Sequence, residues 1–183
     1  MKKITLTIFL LFGINQLFAQ QQTPPSGAGG LGLEFIMELK VTTDKGLVLG
    51  QTSHGQRRMV PITGGTFEGP NIKGTVLNGG ADYQFGNKEK TRTEIEAIYT
   101  IKTDDGVLIN IRNIGIVIRP KEVAEKIAKG EAFDPNQIYF RAAPKFEAPN
   151  DSKYNWLNDA LFVSKGISSG GKGYVTIQVW KVL

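Results

Sequence analysis

Met59 to Gln84 reads MVPITGGTFEGPNIKGTVLNGGADYQ. The stretch carries six glycines, two prolines, short β-branched runs and two acids, Glu68 and Asp82. Glycine lets backbone approach closely and turn through φ > 0. Glycines set between β-branched residues therefore predict strands that bend or bulge rather than lie flat. The spacing predicts strands at Met59–Thr63, Thr66–Glu68, Ile72–Leu77 and Ala81–Phe85, with corners at Gly64-Gly65 and Gly79-Gly80.

The flanking sequence has the same character. Leu33, Phe35, Met37, Leu39 and Val41 alternate with polar residues, the period-two pattern of a half-buried strand. Thr43-Asp44-Lys45-Gly46 suits a three-residue hairpin loop that sets Val41 opposite Leu49. Gln51 to Arg58 reads as a polar loop. Thr91 to Arg119 reads as a long hairpin about Thr103-Asp104-Asp105-Gly106. The register that keeps one face dry puts Ala97, Tyr99 and Ile101 with Val107, Ile109 and Ile111, and sets Arg112 on the other face. Pro120 to Gly130 is the one helix, with proline at its start and glycine just past its end. It is expected to lie on the barrel or plug one end. Pro144 marks Ile138–Glu147 as an edge or bulged strand, and Asp151–Asp159 reads as a single helical turn. Ala160–Ile167 and Tyr174–Val182 are the last strands. The sum is an all-β fold, a single antiparallel β-barrel of about eight to ten strands with one short helix. Closure leaves no exposed edge, and a barrel of about eight strands has room for a small ligand in its mouth.

Residues 1–19 read as a signal peptide: Lys2 and Lys3, then the apolar run Ile4–Phe12, then Ala19 before the cut. Residues 20–30, QQQTPPSGAGG, polar and rich in proline and glycine, read as a disordered linker, and residues 31–183 as the barrel domain. The expectation is a periplasmic or secreted protein without a membrane span. With 22 Lys plus Arg against 17 Asp plus Glu, and two of those lysines in the leader, no basic block marks a nucleic-acid surface. There is no cysteine and one histidine. Disulfides, thiolate catalysis and Cys-ligated zinc are excluded, and neither a metal site nor a cofactor is expected. No nucleophile elbow, phosphate loop or dinucleotide fingerprint is present.

The strings ITGGTFEGPNIKGTVLNGGADYQ, YTIKTDDGVLINIRNIG and YFRAAPKFEAPNDSKYNWLNDALFV resemble domain-of-unknown-function family thirty-two thirty-seven, an uncharacterised family of bacteria and fungi. The resemblance covers nearly all of residues 31–183 and implies a compact antiparallel β-barrel. Glu68, Asp82, Tyr99, Arg112, Asn113, Arg141 and Trp156 match the family's motif positions. Ile98, Tyr83 and His54 depart from it.

Two carboxylates in a semi-apolar mouth can separate their pKa values and serve as acid and base. The candidate catalytic residues are therefore Glu68 and Asp82, with Tyr99 and Arg112 to stabilise developing negative charge. Asn113, Arg141 and Trp156 are the candidate substrate-binding residues. The plainer alternative has the acids capping turns or pairing with Arg112 or Arg141, and the aromatics filling a core. Three functions fit: a cofactor-free isomerase, lyase or cyclase; a barrel binding a hydrophobic or aromatic small molecule; or a filled barrel with a structural role. A small-molecule partner and a possible homo-oligomer are expected, with no nucleic-acid partner.

Overall fold

A computed structural model describes residues 31–183. The expected leader and linker lie outside the described residues. Ten strands run in order: β1 (Leu33–Thr43), β2 (Leu47–Thr52), β3 (Gly55–Glu68), β4 (Lys73–Val76), β5 (Gly80–Gly86), β6 (Arg92–Thr103), β7 (Leu108–Ile118), β8 (Tyr139–Glu147), β9 (Phe162–Ser168) and β10 (Tyr174–Val182). One helix, α1 (Lys121–Lys129), links β7 to β8. All pairings are antiparallel. The sheet closes on itself as β1-β10-β9-β8-β7-β6, then β4 and β5, then β3 and back to β1. The result is an eight-position closed barrel with two extra strands.

The extra strands arise because two ring positions are shared. β4 and β5 follow one another along the same edges of β3 and β6. They are two lengths of one strand broken at Leu77–Gly79. On the other edge of β3, β1 pairs with Thr43 opposite Ile62, and β2 continues with Leu47 opposite Met59.

This continuation corrects the hairpin expected at Thr43–Gly46. β1 and β2 do not face each other. They run in line, because β1 already has β10 and β3 as partners. The Asp44 N–H donates to the Pro61 carbonyl and holds the link against β3. The polar stretch Gln51–Arg58 is likewise not a loop but the end of β2, a tight turn and the start of β3. Gly64 and Gly65 do not form a corner. They bend a continuous β3 at φ 144° and 135°. A side chain on Gly65 would collide with the Lys40 carbonyl, so the close approach of β1 requires glycine here.

The β6–β7 hairpin has the dry-face register, with Tyr99 opposite Ile111 and Ile98 opposite Arg112. Its burial alternates strictly, from Thr93 through Ile95, Ala97, Tyr99 and Ile101 to Thr103 inside. Gly106 closes the turn with φ 92° and an N–H bond to the Thr103 carbonyl. Pro144 is not on an edge strand, since β8 lies between β7 and β9. It is tolerated because the ladder to β9 is only two residues long, Arg141 with Lys165 and Ala142 with Ser164, and has ended before the proline.

The two ends of the barrel differ. At the end holding the β6–β7 turn, Met37, Leu39, Ile101, Ile109, Phe146 and Leu157 are fully buried in one core. Each such side chain contributes about 1.5–3 kcal/mol by leaving water. The Asn155–Asp159 turn caps this end. At the opposite end the apolar packing thins to Ile95, Val117 and Ala142. There α1 ends on Gly130 at φ 72°. Among the described residues no helix is long and apolar enough to cross a membrane.

Candidate functional site

The thinly packed end encloses a cavity of about 340 Å³. That lies near the lower bound of ligand pockets, about 300–1,000 Å³. Ile95, Val117 and Phe140 form its apolar wall. Ile127 and Gly130 at the end of α1, and Tyr174 at the start of β10, line it as well. Asp82 and Gln84 supply polar groups from β5, and Arg119 does so from just beyond β7.

Strand register explains why these side chains point inward. Asp82 lies opposite Ala97 and Gln84 opposite Ile95. Both partners are buried on the inner face of β6, so period two carries their neighbours inside as well. Small Ala97 separates Asp82 from Asn113, its partner on β7. Gly80, one step deeper, leaves room for the Tyr99 ring. A Cβ there would come within 2.5 Å of the Tyr99 Cβ.

Asp82 is the chemically distinctive group. Gln84 Nε2 donates to its Oδ2 at 2.6 Å. Its Oδ1 is sealed from solvent and has no hydrogen-bond partner among the described residues. Burial pushes the carboxyl above its ordinary range, against the Gln84 bond, the nearby Glu96 backbone and the charge of Arg58. Below it, Tyr99 is 5% exposed. Burial first, and the Asp82 charge second, push its phenol up and keep it protonated. Asn113 is also buried, and its Oδ1 likewise lacks a partner. Buried acceptors are normally satisfied, so two orphans in one barrel interior are notable.

Arg119 is the half-buried cation of the wall. Its Nη1 donates to the Thr93 hydroxyl at 2.9 Å. Burial, and then the charge of Arg58, lower its affinity for a proton. Among the described residues no three His, Cys, Asp or Glu side chains cluster as metal ligands.

The structure thus brings Asp82, Tyr99 and Asn113 into one interior. It does not bring the other four candidates there. Glu68 is exposed at the end of β3, opposite Lys73 and Glu38. Arg112 lies on the outer face and pairs with Glu96 at 2.7 Å. Arg141 is exposed, its guanidinium 5.0 Å from the Tyr139 ring centre. Trp156 packs on Phe162 at the capped end, ring centres 6.1 Å apart. Parity accounts for the two arginines, because each sits next to an inward residue, Asn113 or Ala142. Gln84, Thr93 and Arg119 were not singled out by sequence reasoning. A signal existed for Arg119: Asn113, Gly115, Val117 and Arg119 follow period two along one face.

Comparison with known proteins agrees with this barrel. A curated relative from Rhodopseudomonas palustris, named only as a UPF0311 protein, is 40% identical over 134 residues, covering 73% of this chain and 85% of its own. A solved structure from Acinetobacter baumannii, described as a β-barrel-like protein, matches with TM-score 0.72 at 33% identity over 89% of this chain and all of its own. A solved structure from Penicillium herquei, described as an enzyme, shares the fold with TM-score 0.60 at 22% identity, over 84% of this chain and 95% of its own. Residues 31–182 match the family model described as protein of unknown function (DUF3237), and the chain belongs to that family.

Proposed function

We propose that this barrel is a cofactor-free enzyme of proton-transfer chemistry, an isomerase, lyase or cyclase, with Asp82 as its acid–base group. One observation carries the reading. A half-buried carboxyl with a sealed, unpartnered Oδ1 stands at the wall of a mostly apolar cavity. Burial holds the proton of such a group more tightly than an exposed aspartate holds its own, which suits it to give and take a proton.

The step balances without an oxidant or reductant. Ionised Asp82 takes a proton from an activated C–H or O–H bond of the substrate and becomes the neutral acid. The electron pair left behind shifts onto the substrate's conjugated oxygen or carbon. The acid then returns the same proton to another atom, and the carboxylate is restored. Tyr99 and Asn113 do not line the cavity. They act as positioning residues that fix the polarity beneath Asp82.

Solvent-isotope exchange tests this directly. The protein is incubated in D2O with a panel of enolisable aromatic ketones, and deuterium wash-in is followed by NMR. Exchange above buffer that disappears in Asp82→Asn supports the proposal. Undiminished exchange in the variant overturns it. The apolar wall favours a second reading, a barrel that binds an apolar small molecule without catalysis. It predicts binding of panel members with no exchange. The leader read in residues 1–19 would deliver either function outside the cytoplasm, which the N-terminal mass of the mature protein checks.

A further inference from the structure

The mouth of the cavity holds positive charge that the protein leaves largely uncompensated. Arg119 lines the cavity half-buried, and among the described residues its side chain bonds only the neutral Thr93 hydroxyl. Among the described residues no carboxylate oxygen lies within 4.0 Å of Arg119 or Arg58. Arg58 sits on β3 opposite Gln84 and shares its inward parity with buried Val60 and Ile62. Its guanidinium lies over Gly46, and its charge is felt at both Arg119 and Asp82. A partly desolvated guanidinium is ordinarily paired. Arg119 is such a group, and exposed Arg58 adds like charge beside it, a cost that an anion at Arg119 would relieve.

The two acids near the cavity do not supply that anion. Asp82 lies at the inner wall, where burial favours its neutral form. Glu131 stands at the rim but is exposed, so water already solvates its charge. The wall between is apolar, through Ile95, Val117 and Phe140. Gln84, Ser168 and Tyr174 offer neutral donors, and Arg119 is the one cation among the lining residues. A planar carboxylate, which one guanidinium can hold with two parallel bonds, fits that supply. A phosphate dianion would bring twice the charge to a single lining cation.

We propose that the ligand of this site is an organic carboxylate, its carboxylate held by Arg119 at the mouth and its apolar body laid along Ile95, Val117 and Phe140 towards Asp82. The inference rests on the cavity being the ligand site of the preceding proposal, but not on Asp82 doing chemistry there.

Calorimetric titration of the full chain with three probes of one shape tests it: 1-naphthoate, neutral 1-naphthamide and 1-naphthyl phosphate. Naphthoate is expected to bind at least about tenfold more tightly than naphthamide, the size expected for one charge-assisted pair. Arg119→Met should weaken naphthoate by about tenfold or more and leave naphthamide unchanged. Arg58→Met, at an exposed position, should weaken naphthoate by a smaller factor. Asp82→Asn should bind naphthoate at least as well as the parent, so loss of proton exchange in that variant is separable from loss of binding. No naphthoate binding, equal affinity for naphthamide, tighter binding of naphthyl phosphate, or naphthoate affinity unmoved by both arginine variants would overturn the proposal.

Discussion

Gln84 Nε2 donates to Asp82 Oδ2 at 2.6 Å, from two residues further along the inner face of β5. The bond divides the carboxyl into one satisfied oxygen and one orphan. It also opposes burial, since a donor to the charged form favours that form. Gln84→Met removes the donor and keeps the volume. Asp82 should then titrate at higher pH than in the parent, and the acidic limb of any Asp82-dependent exchange should move the same way. A limb that stays in place would remove Gln84 from the account.

Asp82 should make the fold pH-dependent in an unusual direction for an aspartate. Its folded pKa lies above the unfolded value of 3.8. The folded state therefore holds the proton more tightly than the unfolded chain does. Stability from this group is complete below the unfolded pKa and is lost as pH rises through the folded pKa. Asp82→Asn keeps an acceptor for Gln84 and does not ionise. Thermal melts should show the variant more stable than the parent at neutral pH, with the gap closing in acid below the unfolded pKa.

Asp105 behaves in the opposite sense. The Thr103 hydroxyl, then Lys153 and Tyr154, hold its carboxyl far below the usual carboxylate range. Tyr154 donates to it at 2.9 Å and Lys153 lies at 2.9 Å. Such a group stabilises above its unfolded pKa, and the contribution fades as pH falls through the folded one. Asp105→Asn should therefore lower the melting temperature at neutral pH and have little effect in strong acid. The pair links the β6–β7 turn to the segment before Trp156, so hydrogen exchange should rise in both places together.

Gly80 reserves the space that Tyr99 occupies. A Cβ there would lie 2.5 Å from the Tyr99 Cβ and 2.6 Å from the Ile98 carbonyl. Gly80→Ala should destabilise by about 1–3 kcal/mol, as overpacked sites do, and displace Tyr99 from beneath Asp82. Chemical denaturation reads the first effect. Perturbation of the Asp82 titration reads the second.

Local sequence carried some of this structure plainly. The alternation of β6 and the glycine of its turn determined one register, and with it the inward side of Tyr99 and Asn113. The bounds of α1 followed from its proline and glycine. The link between β1 and β2 was not legible, because its turn residues suit a hairpin and only the presence of β10 on the other edge forbids one. The same limit applies to the site. Glu68 and Asp82 sit in one glycine-rich stretch, yet a strand break and non-local pairing send one to solvent and the other inside. Arg119 closed a hairpin in sequence. Its position at a cavity wall depends on Thr93, 26 residues away.

The most direct test of the central claim is a carbon-13 NMR titration of the side-chain carboxyls in the full chain, with the Asp82 resonance assigned by its loss in Asp82→Asn. The account predicts one aspartate titrating distinctly above the ordinary range, absent from the variant and shifted further upward in Gln84→Met. An Asp82 resonance that titrates within the ordinary aspartate range would contradict it.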